Sequence, residues 1–181
     1  MPVAGGGFDQ CYNAQAAVAA GSMLVVATDV VQTPNDKHEI EPTLDKLGTL
    51  PAALGETETL LADTGYFSGP NVEACVKAGV EPVIAMGRQP HHPPLAERFA
   101  KTPEAPVDPT AFEAMAHRLR TPEGRNLYAL RKQTPEPVFG IIKSVLGFRQ
   151  FSMRGLAKAR GEWSLVTMAW NIKRIFALAP A

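Results

Sequence analysis

Long apolar runs and cysteines are both scarce in this 181-residue sequence. No apolar stretch reaches the ~18 to 20 residues that a helix needs to cross a bilayer, which argues against a membrane partner. The first residues, Met-Pro-Val-Ala-Gly-Gly-Gly, contain neither the basic nor the apolar segment of a secretory signal. The two cysteines, Cys11 and Cys75, lack the spacing of a metal or redox motif. We therefore expect a cytoplasmic protein with two reduced thiols.

Several enzyme motifs are missing as well. The sequence has no Gly-x-Ser-x-Gly elbow, no Gly-x-Gly-x-x-Gly fingerprint and no Walker loop, which disfavours an α/β hydrolase-type or nucleotide-binding enzyme. What is present is 45% hydrophobic content in a chain about one domain long, which is enough for a sizeable core.

Charge is divided unevenly along the chain although the formal net charge is zero. Residues 1–115 carry 6 Lys and Arg against 15 Asp and Glu, a balance of −9. Residues 116–181 carry 12 Lys and Arg against 3 Asp and Glu, a balance of +9. This asymmetry indicates a polyanionic partner such as nucleic acid for the basic part. The alternative is that the two parts neutralise each other within one fold.

Apolar runs and turn residues predict an α/β chain. Two short runs on either side of Gly21-Ser22 predict a β-hairpin between Asn13 and Val31. A strand, a helix and a second strand then predict a parallel connection. The elements predicted there are a helix from Asp36 to Leu47, a strand from Thr59 to Ala62, a turn supplied by Gly65, a helix from Gly69 to Ala78 ended by Gly79, and a strand from Val80 to Met86.

Residues 87–109 interrupt this order with six prolines and the adjacent pair His91 and His92. Neighbouring side chains point apart in an extended chain, so we predict an exposed, partly disordered connection and not a metal site. Beyond it, residues 116–181 are predicted to form a basic helical part.

Three helices are predicted in the last third of the chain. The first has Asp108 as N-cap and Pro109 at its first position. The second begins at Thr134-Pro135-Glu136, with Thr134 at the capping position. The third runs from Leu165 to Leu178. The side chains expected in the core are Phe112, Met115, Ala116 and Leu119, then Val138, Phe139, Ile142 and Val145, and finally Trp163, Trp170 and Phe176.

Two blocks carry the functional signal. The first is Tyr128-Ala-Leu-Arg131-Lys132-Gln-Thr-Pro-Glu136-Pro-Val-Phe-Gly-Ile-Ile-Lys143, in which one carboxylate stands among bases. A lone Glu is costly to bury unless a cation or a metal accompanies it, which suggests a site. Lys143 lies two turns along the same helix face, so we expect Glu136 and Lys143 to line one groove. The second block is Leu-Ala-Asp63-Thr-Gly-Tyr-Phe, where Asp63 ends a hydrophobic strand.

Together these blocks resemble the DDE transposases of bacterial insertion sequences. The similarity runs from Gly7-Phe8-Asp9 to Asn171-Ile-Lys-Arg and is to the C-terminal part of the DDE domain. The resemblance implies a single partial catalytic domain over residues 1–181, with a ribonuclease H-like mixed sheet flanked by helices and lacking its first strand.

The resemblance also implies a chemistry. Asp63 and Glu136 would be catalytic ligands of Mg²⁺ or Mn²⁺, since carboxylate oxygens suit such hard cations, and paired ions can activate a water or a 3′-hydroxyl in DNA cleavage and joining. Tyr128, Arg131, Lys132 and Lys143 would hold DNA at the transposon ends. The structural alternative is that Asp63 only forms a turn and Glu136 only begins a helix.

This sequence departs from the family pattern in two places. Four residues separate Arg131 from Glu136 where the signature has three, so Lys132 is an alternative holder of the arginine's place. No block matches the family's first aspartate, for which Asp9, Asp29 and Asp36 are the candidate substitutes.

We therefore expect a truncated transposase that is inactive unless the missing part comes from elsewhere, with full-length transposase or a second copy as a further partner. The competing hypothesis is a catalytically dead remnant that at most binds DNA without sequence preference or associates with full-length transposase.

Overall fold

The computed structural model describes residues 11–87 and 103–179, which divide into two compact units. Unit one contains the chain up to Asn35 and from Leu130 onward, and unit two is Asp36–Ala129. The strands are β1 (Asn13–Val18), β2 (Val25–Val31), β3 (Thr59–Ala62) and β4 (Glu81–Ile84). The α-helices are α1 (Ile40–Gly48), α2 (Gly69–Lys77), α3 (Ala111–Arg118), α4 (Pro122–Gln133), α5 (Pro135–Ser144) and α6 (Leu156–Leu178).

The predicted hairpin is confirmed in unit one. β1 and β2 pair antiparallel, with Asn13 opposite Val31 and the register shifting after Ala17. The connection is longer than the predicted Gly21-Ser22 pair, because the Ala19 amide donates to the Leu24 carbonyl oxygen at 2.9 Å. Within this connection, Met23 has a positive φ of 61°, although it is not a glycine.

Helix α6 covers the hairpin and forms the core of unit one with it. The indole nitrogens of Trp163 and Trp170 each donate at 2.9 Å, to the carbonyl oxygens of Gln15 and Met23 respectively. The Asn171 amide both accepts from and donates to the backbone of Val25 at 2.8 Å, as a neighbouring strand would. The core side chains of this unit are Val25, Val30, Val138, Ile142, Ala159, Trp163 and Trp170.

The predicted closing helix was wrong in its start and in part of its core. α6 begins at Leu156, nine positions before the predicted Leu165, whose side chain is 61% exposed. Phe176 is 79% exposed and Val145, just after α5, is 61% exposed. Helix α6 is apolar on more than one side, so hydrophobicity alone does not identify the side that packs on the hairpin.

Unit two contains the predicted strand, helix and strand in a parallel arrangement. β3 and β4 pair in parallel from Thr59 opposite Glu81 to Ala62 opposite Ile84. Helix α2 connects them; the Ser68 hydroxyl caps its start and Gly79 follows its end with φ of 72°. The buried core is Ile40, Leu44, Ala62, Val72, Cys75, Val80, Val83, Ile84, Met115 and Leu119. The strands that the structure describes thus form two separate two-stranded sheets, one antiparallel and one parallel.

Two predicted element starts and one predicted core residue in unit two are corrected. α1 begins at Ile40, because Asp36–His38 forms a separate 3-10 turn. α3 is capped by Thr110 and not by Asp108-Pro109, since the Thr110 hydroxyl and the Glu113 carboxylate bond reciprocally to each other's amides. Phe112 is 43% exposed and lies beside Phe67 at the rim of the core.

The predicted Pro-rich connection falls largely outside the described residues. His91 and His92 belong to that part, whereas residues 103–109 are described and exposed.

Candidate functional site

Asp63 stands at the carboxyl end of β3, as predicted. Its Oδ1 accepts a hydrogen bond of 2.9 Å from the Gly65 amide and caps the 3-10 turn Thr64–Tyr66. The side chain is half-buried. Asp63 therefore does form a turn, and its hydrogen bond holds the carboxylate at the end of a parallel strand. Ligands of α/β sheets bind at such strand ends.

A second carboxylate, that of Asp36, approaches Asp63 around Gly65. A Cβ atom on residue 65 would lie 3.0 Å from Asp63 Oδ1 and 3.2 Å from Asp36 Oδ2. Gly65 lies in a turn, as predicted, but it is not among the glycines with positive φ, so the turn does not depend on its backbone freedom. Its missing side chain instead leaves room for two carboxylates.

Asn71 joins the two segments that carry these carboxylates. Its Nδ2 donates to the Lys37 carbonyl oxygen at 2.8 Å and to the Tyr66 carbonyl oxygen at 2.6 Å. The side chain is only 6% exposed. The sequence analysis missed this residue, because a single Asn early in a helix has no pattern that distinguishes a buried cross-link from a surface amide.

The three candidate substitutes for the first aspartate have different surroundings. Asp29 belongs to the hairpin, where its Oδ1 accepts from Arg160 Nε at 2.8 Å and from the Val30 amide at 2.6 Å. Asp36 lies beside Asp63, and Asp9 is outside the described residues. Asp29 therefore has a structural role in tying α6 to β2.

Glu136 lies in the first turn of α5, as predicted, but it is not buried. Its side chain is 56% exposed, so the cost of burying a lone carboxylate does not apply here. Arg131 Nη2 donates to Glu136 Oε1 at 3.2 Å. Of the two bases that could hold the signature arginine's place, Arg131 is the one in contact with Glu136.

The break between α4 and α5 brings these two side chains together. Pro135 has no amide hydrogen and ends α4. The Thr134 hydroxyl donates back to the Leu130 carbonyl oxygen at 3.0 Å, so Thr134 stands at the N-cap position without capping α5. The predicted capping position of Thr134 is confirmed, but its side chain is directed to the carbonyl groups at the end of α4 and makes no capping hydrogen bond.

The remaining predicted DNA contacts lie on two helices. Tyr128 and Lys132 are both on α4, where Tyr128 is partly buried against the core of unit two and Lys132 is exposed. Lys143 is near the end of α5 and lines an open groove of about 890 Å³ in unit one. Glu136 is not among the residues lining that groove, and the expectation that Glu136 and Lys143 line one groove stays a prediction.

Asp63 belongs to unit two and Glu136 to unit one, and their meeting at one metal ion stays a prediction. Across residues 11–87 and 103–179, no group of three or more His, Cys, Asp or Glu side chains is arranged to hold a metal ion. No helix in the described part is both long and apolar enough to traverse a membrane.

Comparison with protein families identifies the chain. The family model of the transposase DDE domain matches residues 4–172. The chain therefore belongs to the transposase DDE domain family, which implies a function in DNA transposition and DNA as a partner. No curated protein and no solved structure matches the chain.

Proposed function

We propose that this chain is the C-terminal part of the DDE domain of a bacterial insertion-sequence transposase, with a ribonuclease H-like fold. Its function would be metal-dependent DNA cleavage and strand transfer. The observation that carries the proposal is the placement of Asp63 at the carboxyl end of a parallel strand, in the block and order that the family signature requires. The family match spans both compact units, which supports treating them as parts of one domain.

The carboxylates around Asp63 are the type of ligand that a hard divalent cation prefers, but the described residues supply too few of them to complete a site. Asp63 and Asp36 place carboxylate oxygens around one point, and such oxygens are the ligands that Mg²⁺ and Mn²⁺ prefer. The described residues of unit two provide no third ligand beside them. We propose Asp63 and Glu136 as metal ligands, with the first carboxylate of the family still to be supplied. A bound ion would stabilise charge at the reacting phosphodiester.

We propose roles for the other predicted site residues as well. Arg131 orients the Glu136 carboxylate through its hydrogen bond. Tyr128, Lys132 and Lys143 would contact the DNA backbone, since phosphate contacts fix the position of DNA without reading its sequence.

The isolated 181-residue chain is proposed to be inactive, because it contains no block matching the first catalytic aspartate. A second candidate function is that of a catalytically dead remnant that binds DNA without sequence preference or associates with full-length transposase. The +9 balance of residues 116–181 favours DNA binding in either case.

The test is strand cleavage of a duplex carrying the element's own ends, with Mg²⁺ or Mn²⁺. The chain is compared with a version extended upstream to restore a strand ending in Asp. Activity of the extended version that is lost on Asp63→Asn and on Glu136→Gln supports the transposase proposal. An extended version that binds the duplex but never cuts it supports the remnant.

Cleavage by the unextended chain would contradict the proposed inactivity. Asp36→Asn and Asp29→Asn then serve as a matched pair of variants. Loss of cleavage in Asp36→Asn alone would assign the first carboxylate to Asp36, because Asp29 is engaged by Arg160.

A further inference from the structure

The loop between α5 and α6 contains no helix or strand. It runs through residues 145–155 and includes Gly147 and Gly155, with φ of 74° and 92°. Both values lie in the region that favours glycine. Such a loop needs tertiary contacts to stay in one conformation, because ordering a residue costs about 1 to 2 kcal/mol of backbone entropy.

Aromatic packing supplies the first set of these contacts. Phe148 meets Phe151 edge to face at 5.3 Å, and Phe151 meets Tyr12 in the same way at 5.5 Å. Phe148 also lies 6.0 Å from the buried Trp163 of α6. The aromatic side chains of the loop are thus turned toward the core of unit one.

Hydrogen bonds to a side chain of α6 and to Tyr12, just before β1, supply the second set. The Glu162 carboxylate of α6 accepts from the Ser152 amide at 2.9 and 3.0 Å and from the Met153 amide at 3.1 Å. The Tyr12 hydroxyl accepts from the Gly155 amide at 2.8 Å. Partial burial raises the pKa of Glu162, but the hydrogen bonds from the loop amides outweigh it, so the pKa lies below its ordinary value.

Polar side chains of the loop line the same groove as its two phenylalanines. Arg149, Gln150 and Arg154 are exposed and line the groove of about 890 Å³, together with Lys143 of α5. None of the described residues lining this groove is acidic. Glu162, the nearby carboxylate of α6, bonds to the loop backbone and not to these cations. The loop therefore presents two cationic side chains to one open groove, and α5 presents a third.

We propose that this groove binds a phosphodiester backbone, with Arg149 and Arg154 as phosphate contacts and Glu162 as the residue that positions their loop. Arg suits this task because its planar fork of donors matches phosphate oxygens. The inference rests on the proposed function for its partner, DNA, but assigns contacts outside the Tyr128 to Lys143 block. Glu162 is a positioning residue, since it contacts the loop backbone and not the ligand.

The first experiment compares two charge-matched double variants of the 181-residue chain. Arg149→Ala with Arg154→Ala removes two groove cations, and Lys158→Ala with Lys173→Ala removes two exposed cations of α6 that do not line the groove. Affinity is measured for a duplex and for a single strand of arbitrary sequence over a range of salt. Losing two phosphate contacts should weaken binding about tenfold and reduce the salt slope by about 1.8 for duplex DNA.

The second experiment separates positioning from plain electrostatics. Glu162→Ala and Glu123→Ala each remove one negative charge, so a purely electrostatic effect would strengthen DNA binding in both. We expect Glu162→Ala to weaken binding, because the loop loses its carboxylate anchor. Glu123, exposed on α4, should leave binding unchanged or slightly stronger. The fluorescence of Trp163 and Trp170 confirms that the unit-one core of each variant is folded.

Cys11 provides an independent footprint, since it also lines the groove. DNA should slow its alkylation in the natural chain and have little effect in the Arg149 and Arg154 double variant. Equal losses in the two double variants, or binding by Glu162→Ala as tight as by Glu123→Ala, would overturn the groove proposal alone. No DNA binding by the natural chain at low salt would contradict the DNA partner itself. Preference for the single strand or for the duplex identifies which form supplies the backbone.

Discussion

Replacing Asn71 by Ala should loosen both carboxylate-bearing turns of unit two at once. The Asn71 side chain is 6% exposed and its amide nitrogen donates to the carbonyl oxygens of Lys37 and Tyr66. One side chain therefore holds the 3-10 turn after Asp36 and the 3-10 turn after Asp63. Asn71→Ala removes both hydrogen bonds without removing the backbone amide that Ser68 caps.

The magnitude follows from these two bonds. Each is worth about 0.5 to 1.5 kcal/mol net, and a carbonyl left without a partner in a buried place costs more. Lys37 is exposed, so water can replace one of the lost bonds, whereas Tyr66 is partly buried. We therefore expect the free energy of unfolding of unit two to fall by about 2 kcal/mol.

Hydrogen exchange measured by peptide mass is the suitable assay, because both tryptophans belong to unit one and do not report on unit two. The Glu39 amide, bonded to the Asp36 carbonyl, and the Tyr66 amide, bonded to the Asp63 carbonyl, should both exchange faster. Glu73→Ala, an exposed change on the same helix, is the control and should change stability by less than about 0.5 kcal/mol.

Ser68→Ala separates the cross-link from simple fraying of α2. It removes a helix cap, at a cost of about 1 kcal/mol, and leaves the Asn71 side chain in place. We expect it to affect the start of α2 and not the Asp36 turn. Faster exchange at only one of the two turns in Asn71→Ala would refute the argument that Asn71 holds them together.

Three further predictions follow from single contacts. Gly65→Ala should destabilise unit two by about 1 kcal/mol, because the added Cβ would crowd two carboxylates. Gly69→Ala is the control and should be tolerated, since Gly69 has open space around it. Equal shifts in melting temperature for the two variants would contradict this prediction. The pKa of Glu162 is lowered, so this carboxylate stabilises unit one above its ordinary pKa of 4.5 and the stabilisation is lost as the pH falls through the folded pKa. The difference in unfolding free energy between the natural chain and Glu162→Gln, measured by urea titration, should therefore close at that pH. A difference that persists in acid would contradict this prediction. Burial raises the pKa of Cys75 to about 11, so a maleimide should label Cys11 in the native chain and Cys75 only after unfolding, as peptide mapping would show.

Much of the α/β organisation could be predicted from the sequence, because its signals are local. Two short apolar runs around Gly21-Ser22, the second rich in β-branched residues, identified the hairpin, and the strand ending at Ala62 was predicted with its observed bounds. The parallel pairing of β3 with β4 followed from a strand, a helix and a strand in succession. Asp63 and Glu136 were found by their place in longer motif blocks, which do not depend on knowing the fold.

Tertiary structure decided where apolar and polar side chains have more than one possible partner. Helix α6 has apolar residues on more than one side, and only contact with the hairpin buries Trp163 and leaves Phe176 exposed. Thr134 is a residue type that commonly caps helices, but its hydroxyl donates to the Leu130 carbonyl oxygen near the end of α4. Such choices depend on which groups come within hydrogen-bonding reach in space, and local sequence does not contain that information.

The candidate site likewise combines features that the sequence predicts with contacts that only the tertiary structure decides. Asp36 and Asn71 are 35 positions apart in sequence, and nothing in either segment indicates that Asn71 bonds to the backbone next to Asp36. The Glu162 bonds to Ser152 and Met153 likewise join a helix to a preceding loop. Residue type and motif order in the sequence predicted which residues carry chemistry. Only the folded chain determined which of them meet, because a hydrogen bond requires an approach of about 3 Å that chain separation does not specify.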